Sequence, residues 1–139
     1  MAALGTRSLV ITIGGTDYTA EVSNARIVSG ESDADFVTFA NAASGGSREY
    51  RLEFTAVQDA ASASLWRQVW DNAGDTVAFI LKPYGNAAAS VGQPHFSGNA
   101  TITEPDGDLL GGEANASTSA RFTFDASWVC AAKPTLVTT

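Results

Sequence analysis

The sequence has little of what most catalytic and metal sites are built from. Its 139 residues include one cysteine, Cys130, and one histidine, His95. One cysteine excludes an internal disulfide framework and fits synthesis in a reducing compartment; beside Trp128 it reads as a small buried hydrophobe. With one histidine, a transition-metal site would need carboxylates or Cys130 to complete it, and neither an H-x-x-x-H nor a C-x-x-C spacing occurs. No G-x-S-x-G elbow frames a serine nucleophile, and the glycine pairs of "GGTD", "SGGS" and "LLGGE" belong to no phosphate-binding loop. His95, before Phe96, reads as the start of a strand. No catalytic residue, cofactor or metal is expected.

Basic residues are also scarce. Eight Lys and Arg face fifteen Asp and Glu, a net charge of -7. The few cations are scattered, which argues against a patch that tracks phosphates and so against tight nucleic-acid binding. An acidic wall instead repels a polyanion and lets it slide. No window approaches the roughly 20 apolar residues of a membrane span, and "MAALGTRSLVITIGG" lacks a basic region followed by a long apolar one. Neither membrane insertion nor secretion by signal peptide is expected.

What is present reads as short strands around one helix. "SLVITIGGTDYTAEV" predicts a hairpin turning at Gly14-Gly15, with Leu9, Ile11 and Ile13 on one face by period-two alternation. Strands near 25–29 and 48–57 follow. In the second, Tyr50, Leu52, Phe54 and Ala56 alternate with Glu49, Arg51, Glu53 and Thr55. The connection over 30–47 is far longer than the usual hairpin loop of about 2 to 5 residues. It carries Phe36, Val37 and Phe39, either as a short third strand or as an arm that buries these side chains in a neighbouring subunit.

Helical spacing sets Ala61, Leu65, Trp66, Val69 and Trp70 in one stripe, predicting a helix over 60–73 with Asp59 or Ser62 as cap and Gly74 as its end. Leu65, Trp66, Val69 and Trp70 are its expected core anchors. "DTVAFILKP" is a strand stopped by Pro83, "HFSGNATIT" another, and "SARFTFDASWV" the last, with Ala120, Phe122, Phe124 and Ala126 on its apolar face. "EPDGDLLGGE" lacks the ligand spacing of a calcium loop and reads as a turn. Residues 130–139 read as an extended tail. The pattern predicts one mainly β domain over 1–139, an antiparallel β-sandwich or barrel with one flanking α-helix.

The order of hairpin, long-loop hairpin, "FTAVQDAASASLWRQVWDNAGDTVAFILKP" and two closing strands, "FSGNATIT" and "SARFTFDASW", resembles the major tail tube proteins of long-tailed bacteriophages, especially those of actinobacterial hosts. The resemblance covers most of the chain and is densest from Thr55 to Asp59 and from Ser64 to Val77. It implies a virion structural protein, made in the bacterial cytoplasm, that assembles as six-membered rings stacked into a hollow tube. Inner strands of six subunits would merge into one barrel around a lumen that conducts DNA without binding it specifically. The tape-measure, tail-terminator and distal-tail proteins would be its other partners. Longer relatives carry an appended immunoglobulin-like domain, and none is expected here.

On that expectation the polar strand faces line the lumen, through Glu53, Thr101, Thr103, Thr123 and Asp125. Phe36, Val37 and Phe39 become the inter-ring loop. The alternative is a β-sandwich adhesion module recognising carbohydrate or protein, with Tyr84 or Trp128 on its binding face.

Overall fold

Alternation of apolar and polar residues builds two antiparallel sheets, seen in a computed structural model that describes residues 3–31, 38–43 and 48–139. The elements in chain order are β1 (Val10–Ile13), β2 (Thr16–Asp17), β3 (Val22–Glu31), α1 (Phe39–Ala43), β4 (Arg48–Val57), α2 (Leu65–Asn72), β5 (Thr76–Lys82), β6 (His95–Thr101), β7 (Thr123–Val129) and β8 (Thr135–Val137). One sheet runs β2-β1-β5-β6-β8 and the other β3-β4-β7.

The inner faces form one core. Leu52, Phe54 and Ala56 of β4 are buried opposite Trp128, Ala126 and Phe124 of β7 in direct register. Phe54 meets the rings of Trp128 and Phe124 edge-on, with centroids 4.9 and 6.1 Å away. Ile11, Ile13, Phe79 and Leu81 close the core from the five-stranded sheet. Each large side chain so buried contributes about 1.5–3 kcal/mol.

A backbone bridge between Ala100 and Cys130 joins the sheets along one side. Beyond β7 the chain changes sheet at Cys130: its N–H donates to Tyr50 O of β4 at 2.8 Å, and the Ala131 N–H donates to Asn99 O of β6 at 2.9 Å. The chain then continues as β8 along the same edge of β6. A strand that switches sheets makes such a corner. Cys130 is buried there, and burial pushes its thiol pKa up. On the opposite side the Ile11 N–H donates to Thr19 Oγ1 at 3.2 Å, and the Ile11 carbonyl accepts from the Tyr18 N–H at 3.0 Å. With the edge of β1 satisfied by this turn, β3 pairs on one side alone, with β4, and no closed barrel forms among the described residues.

Helix α2 plugs the end of the sandwich where β4 finishes and β5 begins. It starts at Leu65 rather than at residue 60, because the N-cap is Ser64, whose hydroxyl accepts from the Arg67 N–H at 3.2 Å. Asp59 instead accepts from the Ala61 N–H at 2.9 Å in the preceding turn, and Ser62 caps nothing. Leu65, Trp66 and Val69 are buried, while Ala61 is exposed. Trp70 is not a core anchor: it is 48% exposed at the border of the stripe, its ring tilted over that of Trp66 at 5.3 Å. Gly74 ends the helix at φ +101°, as its position suggested.

Three further expectations change. Phe122 lies outside β7 and is half exposed, so the buried face of that strand begins at Phe124. The tail is not merely extended, because β8 pairs with β6. Phe39 belongs to the helical turn α1 and not to a strand, while Phe36 and Val37 fall outside the described residues.

Candidate functional site

The outer face of the β3-β4-β7 sheet is mostly polar, with Val28 and Val129 on either side of Arg51. Register sets Arg26, Glu53 and Ser127 in one row, and Asn24, Thr55 and Asp125 in the next. Both rows are cross-linked. Glu53 accepts from Arg26 Nη2 at 3.2 Å through Oε1 and from Ser127 Oγ at 3.2 Å through Oε2. Arg51 donates to Glu49 Oε2 at 3.2 Å and to Ser127 Oγ at 3.4 Å, and Thr55 Oγ1 donates to Asp125 Oδ1 at 2.6 Å. Both guanidinium groups of the face are thus engaged by glutamates.

The segment after β6 forms a rim to this face, leaving an open groove of about 660 Å³. Glu104, Asp106 and Asp108 join Glu53 and Asp125 around it, against Arg26 and Arg51. The rim is held by buried indoles. Trp128 Nε1 donates to Thr103 O at 3.2 Å, and Trp66 Nε1 donates to Leu109 O at 2.7 Å. Gln58 closes the segment, accepting from the Gly111 N–H at 2.7 Å and donating to its carbonyl at 3.0 Å. The groove is therefore open and acidic in balance.

Of the expected wall residues, Glu53, Thr103, Thr123 and Asp125 line this groove. Thr101 does not, because it belongs to β6 in the other sheet, opposite Thr76. Sequence reading missed the acidic rim: "EPDGD" reads as a turn, and nothing local says which face the turn borders. Arg51 and Thr55 were legible from alternation in β4, but their links to Ser127 and Asp125 required the β4–β7 register.

The binding face expected of an adhesion module is not assembled around Trp128, which is fully buried. His95 is buried at the start of β6, its Nε2 3.0 Å from Asn86 O. Among the described residues, no group of three or more His, Cys, Asp or Glu side chains is placed to hold a metal ion, and no helix is long and apolar enough to cross a membrane. No protein-family model matches the chain, and a search of curated proteins returns no match.

Proposed function

We propose that the protein is a phage tail tube subunit, which assembles into stacked hexameric rings around a channel for DNA. The observation that carries this reading is the pairing of a polar, net-acidic sheet face with an open strand edge on the same sheet. Among the described residues, β3 runs for ten residues with β4 as its one paired neighbour. A long free edge invites pairing with another chain, and natural proteins cover, blunt or close such edges. Ring closure would supply the missing neighbour and carry the polar face around a lumen.

The electrostatics suit passage rather than capture. Carboxylates outnumber guanidinium groups around the groove, and both arginines are engaged by glutamates. Such a wall repels phosphate within a Debye length of about 8 Å at physiological salt and offers few sites where DNA would stick. Glu53, Thr103, Thr123 and Asp125 are the proposed wall residues. The other tail proteins named above would bind the ends and the lumen of the tube.

Negative-stain microscopy of the concentrated protein tests the reading. Hollow tubes with a regular axial repeat are expected; persistent monomers at all concentrations would overturn it.

A further inference from the structure

A second groove, of about 450 Å³, lies between β1 and β3, strands that belong to different sheets. Leu9, Ile11 and Val22 give it an apolar floor continuous with the core, and the exposed Arg7 lines it from the segment before β1.

The two strands differ in what their backbone can still bond. Ile11 of β1 has spent its N–H on Thr19 Oγ1 and its carbonyl on the Tyr18 N–H. On β3, Ser23 drops out of the register with β4, a bulge that bends the strand beside the groove. From Asn24 to Glu31 the pairing with β4 is regular, and the other edge meets no strand among the described residues. Such an edge accepts an extended peptide through main-chain hydrogen bonds, with neighbouring pockets choosing its side chains.

Charge and strand direction indicate which peptide. Among the described residues Arg26, Arg51 and Arg67 are in ion pairs and Arg7 is in none. No described carboxylate lines the groove, although the chain has fifteen. The β3-β4-β7 sheet is antiparallel throughout, so a strand added in the same sense runs from Glu31 towards Val22. Its C-terminal end then arrives at the groove that Arg7 lines.

We propose that the β3 edge and this groove bind an extended segment of another protein, which carries alternate apolar side chains and a carboxylate side chain at its C-terminal end against Arg7. The inference shares with the tube reading the premise that the β3 edge takes up a strand, and adds what that strand must carry. It requires neither a ring nor a lumen.

Fluorescence anisotropy tests it with the full-length protein, diluted until sedimentation velocity shows a monomer. The probe is a labelled, C-terminally amidated heptapeptide, Ser-Val-Thr-Val-Ser-Val-Glu. Saturable binding by the parent is expected. Ending the peptide in Gln, or moving Glu to its first position, should weaken binding about fivefold or more. Arg7→Glu should weaken the Glu-ended peptide to the same extent and strengthen a Lys-ended one. Because Arg7 is exposed, a melting temperature near the parent's is the folding control. A parent that binds no probe, Glu-ended and Gln-ended peptides of equal affinity, or no gain of the Lys-ended peptide by Arg7→Glu would each overturn the proposal. Self-association weakened by Arg7→Glu with no probe bound would assign the groove to a second copy, and also overturns it. Microscopy of the concentrated parent separates the two ideas: hollow tubes from a protein that binds no probe keep the tube reading and reject this site. A parent that binds the probe and stays monomeric at all concentrations does the reverse.

Discussion

The indole N–H of Trp66 donates to the Leu109 carbonyl at 2.7 Å, tying the helix to the end of the acidic rim. Truncation by Trp66→Ala removes this bond and a buried ring, and is expected to cost about 3–5 kcal/mol. Trp66→Phe keeps most of the packing and should cost less. Trp70→Ala should stay within about 1 kcal/mol, because half of that ring is already in water. Urea denaturation of the three variants checks the order; equal losses at Trp66 and Trp70 would contradict the burial pattern.

Glu53 and Asp125 stand on adjacent rows of the polar face and are engaged by Arg26, Ser127 and Thr55. Their pairs are solvent-accessible, so Glu53→Ala should change stability by no more than about 1 kcal/mol. Replacing both carboxylates with lysine should instead make assembled protein retain double-stranded DNA, with affinity falling steeply as salt rises. Co-sedimentation at two salt concentrations reads this out. Parent and lysine variant retaining equal amounts of DNA would remove these residues from the proposed wall.

Cys130 sits at the corner between sheets, where burial raises its thiol pKa. The folded state then holds the proton more tightly than the unfolded one. That contribution is present below the ordinary thiol pKa of about 8.5 and is lost as pH rises through the higher folded value. Stability should therefore decline at alkaline pH, with Tyr18, also raised by burial, acting in the same direction at higher pH. Cys130→Ala should remove the earlier part of the decline. Alkylation of Cys130 should be slow in the folded protein and fast in urea.

Gly85 has φ +69°, and a Cβ there would lie 2.6 Å from the Ser8 carbonyl oxygen. Gly85→Ala combines a strained backbone with a clash against main chain, so a loss of about 1–3 kcal/mol is expected. Gly14 has φ +59° with nothing within 4 Å, and Gly14→Ala should cost less. Denaturant midpoints at unchanged slope compare the two.

Much of the fold was readable because one-sided burial leaves a period in the sequence. Leu52, Phe54 and Ala56 alternate with polar neighbours, and Arg48–Val57 is a strand within the predicted limits. Leu65, Trp66 and Val69 repeat at helical spacing and are buried. Trp70 shares that spacing yet is half exposed, since periodicity assigns a side chain to a face but not to the width of what covers it. The start of α2 was misplaced because Asp59, Ser62 and Ser64 are all good caps, and the choice rests on which hydroxyl is positioned to meet the Arg67 N–H.

The amino-acid order by itself determined the alternating strands, the amphipathic helix, the turns at glycine and the acidic balance, all of which are local patterns or sums. Only the tertiary structure decided that Thr101 stands apart from Glu53, Thr103, Thr123 and Asp125, that Cys130 turns the chain from one sheet to the other, and that two buried indoles pin an acidic turn beside a polar face. Those outcomes depend on pairing between residues far apart in the chain. Cross-strand register and the reach of a side chain to a distant carbonyl leave no period in the sequence to read.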